Sequence, residues 1–178
     1  MTALRGRRAA RIAALAVVAS ALTLPACAVN GLAFKQDTRL SFAYPDQRDK
    51  VRLPLTVRWS VREFEVTGPT PNVRPGAGYF AVFVDRSPQP PGKTLGWFAR
   101  NDRSCQRDPT CPDDQYFAER NVYAVNANEF TIEYLRPPNL GSKIREFHEI
   151  TVALVDGEGR RLGETAYTVE FQVLRGRP

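Results

Sequence analysis

From Leu53 to Val61 the chain alternates between inward and outward candidates. Leu53, Leu55, Val57, Trp59 and Val61 fall on one face, and Pro54, Thr56, Arg58 and Ser60 fall on the other. A period of two is that of an extended strand, whereas a helix would scatter the same apolar residues around its axis. Pro54 stands near the start, where a missing backbone donor is tolerable. One strand cannot shelter its own apolar face. The segment therefore demands a second layer, with Trp59 expected in the core between two sheets.

The same signal recurs along the chain. Thr38 to Tyr44 places Leu40, Phe42 and Tyr44 alternately with Ser41 and Ala43, and Pro45-Asp46 ends it. After a Pro/Gly-rich connection from Gly68 to Gly78, the run Tyr79 to Asp85 is apolar on both faces and reads as a central strand. Tyr116 to Val125 and Glu129 to Leu135 are further strand candidates, the second with Phe130, Ile132 and Tyr134 on one face. Phe147 to Val155 and a return strand bearing Tyr167, Val169, Phe171 and Val173 inward flank the turn signal Asp156-Gly157-Glu158-Gly159. Fourteen prolines, twelve glycines and a single Met fit strands and turns better than helices. The expected class is all-β, a single antiparallel β-sandwich of about seven strands over 37–175, with residues 176–178 as a tail.

Leu53-Pro54-Leu55-Thr56-Val57-Arg58-Trp59-Ser60, followed by His148, Ile150, Val152 and Leu154 at alternate positions and then by Asp156-Gly157 and Gly159, resembles the immunoglobulin-like and fibronectin-III-like domains of exported bacterial proteins. The resemblance spans roughly residues 37 to 175. It implies an immunoglobulin-like fold and no particular activity, since such domains serve adhesion, ligand binding and spacing alike. The inter-sheet Cys…Trp…Cys framework of true immunoglobulin domains is missing, because Cys105 and Cys111 belong to one loop.

The amino terminus carries an address. Arg5, Arg7, Arg8 and Arg11 precede an apolar run from Ile12 to Leu24, which Leu24-Pro25-Ala26-Cys27 closes. A run of roughly thirteen residues falls short of the ~20 that a spanning helix needs, so the segment reads as a helical signal peptide over 1–26. Its last four residues resemble a lipobox, which implies lipidation of Cys27 and a short tether over 27–36. At ~3.3–3.6 Å per residue that tether reaches about 30 Å. Ala26-Cys27-Ala28 also reads as A-x-A, and cleavage after Ala28 would instead release a secreted protein. The net charge of +6 includes the four leader arginines, and no acidic residue precedes Cys27, so the mature part is near +2. That balance gives no reason to expect nucleic acid as a partner.

The irregular stretch 86–115 is the odd feature. Cys105 and Cys111 are spaced to close a small disulfide ring around Pro109, which an oxidising compartment favours. Five residues between them exclude a CxxC metal or redox motif. Asp102, Asp108, Asp113 and Asp114 could offer oxygens to calcium, but the EF-hand spacing is missing and Arg103 and Arg107 interleave. A solvated, stapled loop is the simpler expectation, with no cofactor. Tyr79, Trp97, Phe98, Tyr116 and Phe117 cluster around the insertion, either capping the core or forming a patch on which a glycan could stack. His148 is the only histidine, and along a strand it shares a face with Glu146 and turns away from Glu149. Without a G-x-S-x-G elbow or a metal-ligand set, a packed or hydrogen-bonded histidine is expected, and no enzyme.

The expectation is therefore a non-catalytic binding or spacer module on the outer face of a bacterial membrane. The membrane would be its partner through the lipid anchor, with an envelope protein or glycan as a further partner. The alternative is a secreted soluble domain that binds a small ligand or calcium through the 86–115 loop. On either view the insertion is the expected seat of binding, and shortening Pro88 to Pro112 should leave the sandwich folded while abolishing partner binding.

Overall fold

A computed structural model describes residues 36–136 and 146–174. Cys27, the expected signal segment and the 176–178 tail lie outside the described residues. Among those described, nine strands and only short helical turns occur, so the protein is all-β. Seven of the strands are four residues or longer.

A three-stranded antiparallel sheet is ordered β1 (Leu40–Tyr44), β3 (Leu55–Val61), β7 (Glu129–Ile132). The larger sheet runs β2 (Lys50–Val51), β9 (Tyr167–Val173), β8 (Phe147–Val155), β5 (Ala77–Val84), β4 (Glu65–Val66). A further strand, β6 (Val122–Val125), pairs with β5. Only the two-residue strands β2 and β4 pair in parallel.

Burial follows the alternation read from the sequence. Leu55, Val57 and Trp59 are buried while Arg58 and Ser60 are exposed. These residues join Phe80, Val82, Ile150, Val152, Leu154, Val169 and Phe171 of the larger sheet in one core. The outer face of the small sheet is wet, with Thr56 bonded to Thr131 at 3.0 Å and Arg58 paired with Glu129 at 3.3 Å across strands.

The larger sheet differs, because both of its faces are covered. All eight residues of β5 are buried, and so are Ile150 to Val155 of β8. The second face, built on Tyr79, Ala81, Phe83, Ala153 and Val155, packs against Leu95, with Phe98 and Phe117 at its margin. Leu95 lies in a 3-10 turn, Leu95–Ala99, and Phe117 in the short helix α1, Asp114–Ala118. The 86–115 segment is thus a packed layer rather than an appendage. That packing weighs against the expectation that shortening Pro88 to Pro112 leaves the sandwich folded.

Three local expectations are corrected. The strand expected over Tyr116 to Val125 is in fact α1 followed by β6. Asp113 caps the helix, its carboxylate accepting the Tyr116 N–H at 2.8 Å, and this outweighs the aromatic β-propensity of the segment. Tyr44, expected inward, is exposed because β1 slips by one residue between Phe42 and Tyr44 and so sets Tyr44 opposite Arg58. Tyr134 is expected to share a strand face with Phe130 and Ile132, but β7 ends at Ile132 and Tyr134 is 69% exposed.

The Asp156 turn forms through its own carboxylate, which accepts the N–H groups of Glu158 at 3.0 Å and Arg160 at 2.8 Å. Gly159 adopts φ 77°, and any Cβ there would meet the Tyr79 hydroxyl at 2.6 Å. Beyond the turn, buried Arg161 donates to the carbonyls of Gln89 and Glu164, at 2.9 and 2.8 Å, fastening the base of the insertion to the returning chain.

Candidate functional site

Within the insertion, Cys105 and Cys111 are at disulfide distance with Cα atoms 5.1 Å apart. The four aspartates do not converge. Asp102 accepts the Ser104 and Cys105 N–H groups at 3.0 and 3.2 Å, the Tyr116 hydroxyl at 3.2 Å and the Arg120 guanidinium at 3.2 Å. The Cys105 N–H contributes most to holding its carboxyl below the usual range, with Ser104, Tyr116 and Arg120 adding to it against partial burial. Asp108 is taken up by Thr110, Asp113 caps α1, and Asp114 stands in the first turn of that helix. Among the described residues no three His, Cys, Asp or Glu side chains gather as a metal set.

The insertion's aromatic rings are committed as well. Tyr79, Phe98 and Phe117 belong to the second core or its margin. Arg100 lies over Trp97, and Arg120 over Tyr116, each 3.5 Å from the ring centre, while Arg86 covers Phe98 at 4.4 Å. This arrangement stiffens the layer and leaves little open ring face for a ligand.

The built polar site lies elsewhere, at the end of β5. There His148 occupies the inner face of β8, stacked on Phe171 with ring centres 6.1 Å apart. Its Nδ1 lies 2.6 Å from Asp85 Oδ2 and its Nε2 2.9 Å from Glu146 Oε1. The face shared with Glu146 follows from strand parity. Burial by itself would lower the His148 pKa, but the Asp85 and Glu146 carboxylates outweigh it and raise the value.

Asp85 is pinned at both oxygens, since Oδ1 accepts the Glu149 N–H at 2.9 Å while its own N–H donates to the Glu149 carbonyl at 2.9 Å. It holds φ 50°, and Asn121, whose carbonyl receives the Val84 N–H at 3.0 Å, holds φ 56°. Two left-handed residues that are not glycine therefore meet at one strand end. Burial pushes the neighbouring Glu149 carboxyl up, and Asp85 and Glu170 push it further.

Asp85, Glu119, Asn121, Tyr134, Leu135 and Arg136 line a cleft of about 230 Å³. A second groove of about 430 Å³ continues from it past Tyr134 between β6 and β7, over Tyr123, Phe130 and Ile132. Sequence reasoning noticed His148 and Glu146 but missed Asp85, Asn121 and Tyr134 as neighbours. The distance in chain from Asp85 to His148 leaves no local signal, and Tyr134 was hidden by its match to the strand parity.

No helix among the described residues is long and apolar enough to cross a membrane. Compared with family models, curated proteins and solved structures, the chain finds no match.

Proposed function

We propose that the protein is a lipid-anchored module of the bacterial cell envelope. Its mature part would be an immunoglobulin-like β-sandwich that binds a partner without chemistry. The leader carries this reading: four arginines, a thirteen-residue apolar run and Leu24-Pro25-Ala26-Cys27. The cysteine pair at disulfide distance supports an oxidising compartment. One core shared by a three-stranded sheet and a larger, mainly antiparallel one supports the sandwich. A polar cleft at one end of a rigid strand supports binding rather than spacing alone.

A diacylated or triacylated cysteine holds a protein firmly to a bilayer where a single chain does not. Wild-type protein from envelope preparations should therefore partition into detergent, and Cys27→Ala should be exported yet remain in the aqueous phase. A wholly aqueous wild type with Val29 at its N-terminus would establish secretion instead.

A further inference from the structure

We infer that the cleft at the end of β5 binds one neutral sugar unit of an envelope glycan. The inference deepens the envelope-module reading and rests on it for the source of the sugar. Its volume of about 230 Å³ is small, on the scale of a single sugar ring and not of an extended chain. The lining suits polyols. Asp85 and Glu119 accept hydroxyl protons, Arg136 donates, and the Asn121 amide does both.

Asp85 is an acceptor fixed in advance. Both its oxygens are held, by His148 and by the Glu149 N–H, yet 36% of its side chain remains exposed. A group that is already immobile loses little freedom when it binds. Tyr134 supplies the aromatic face. It is the most exposed large hydrophobic residue described, and among the described residues no ring or guanidinium stacks on it, unlike Trp97 and Tyr116. An amphipathic ring standing open beside polar groups is the usual equipment of a recognition surface.

The charge pattern favours a neutral ligand. Arg136 faces the same cleft as Asp85 and Glu119, while His148 and Glu146 pair with each other behind Asp85 on the core side. A cationic side chain would meet the Arg136 guanidinium, and an anion would meet the two carboxylates.

The test is titration of the purified full chain with glucose, mannose, N-acetylglucosamine and arabinose, followed by amide NMR shifts. At least one sugar should give saturable shifts centred on Asn121 and on 134–136, insensitive to salt. Tyr134→Ala should weaken that binding about tenfold, and Glu119→Gln should weaken it less. Both side chains are exposed, so neither variant threatens the fold. No saturable shift with any of the four sugars, or equal binding by Tyr134→Ala, would overturn the proposal. So would salt-sensitive capture of a tri-arginine peptide at the same residues in place of sugar. Detergent partition of the same preparation reports on the tether separately. An aqueous protein that binds sugar sinks only the anchor, and an anchored protein that binds none sinks only the cleft.

Discussion

The Nδ1 atom of His148 lies 2.6 Å from Oδ2 of Asp85, a residue 63 positions earlier in the chain. With Glu146 on the other ring nitrogen, the imidazole ring joins the end of β5 to the start of β8 inside the core margin. A neutral ring has one N–H and can serve only one of the two carboxylates as a donor.

This sets a pH dependence with a definite sign. The His148 pKa is raised on folding, so the pairing contributes fully below the unfolded value of about 6.5 and fades as pH rises through the folded value. Stability should therefore decline from mildly acidic toward alkaline pH. In His148→Gln that slope should flatten, with lower stability at pH near 6. Denaturant midpoints across the range check it, and an unchanged slope in the variant would refute the assignment.

Trp59 gives a second expectation. It is 3% exposed and meets Phe80 edge-on with ring centres 5.4 Å apart. Trp59→Ala should cost about 3–5 kcal/mol. Trp59→Phe should cost clearly less, because among the described residues the indole N–H has no hydrogen-bond partner to lose. Equilibrium unfolding of both variants, with blue-shifted emission from Trp59 in a Trp97→Phe background, would establish the placement.

The insertion should prove necessary for folding. Leu95 covers the second face of β5 and β8 and is 5% exposed, so Leu95→Ala should cost about 2–5 kcal/mol. Excising Pro88 to Pro112 would uncover Phe83 and Val155 and should abolish cooperative unfolding. A shortened chain that melts like the wild type would show that the layer is dispensable.

Breaking the Cys105–Cys111 link acts on a small loop. Closing six positions of chain restricts the unfolded state by about 2–3 kcal/mol in the entropic account. Cys105→Ser with Cys111→Ser should lower stability by up to that amount. Hydrogen exchange should accelerate around 100–115 and leave β5 and β8 protected.

Period-two alternation made β3, β8 and β9 legible, and it placed Trp59 and Phe171 correctly, because a sheet with one buried face imprints that period on its sequence. The apolar stretch Tyr79 to Val84 also announced a central strand. Its second apolar face hinted at another layer, yet nothing local said that Leu95 and Phe117 would supply it. Tyr44 and Tyr134 went astray for a common reason. Parity extrapolates past a bulge or a strand end, and neither event has a signature in single residues. The site was half visible: Glu146 and His148 share a face by strand geometry, while Asp85, Asn121 and Tyr134 reach the cleft only through pairing across the sheets.

The two-residue strands β2 and β4 have a consequence for life at high local concentration. They close the larger sheet with Lys50–Val51 on one side and share the other with the four-residue β6, while the small sheet ends in β7 and the bulged β1. The long strands β5 and β8 sit inside, and every border is a short, interrupted or charged piece. Such borders offer no continuous ladder onto which another copy could zip. At high local concentration, strand-to-strand pairing between molecules is therefore disfavoured along these borders.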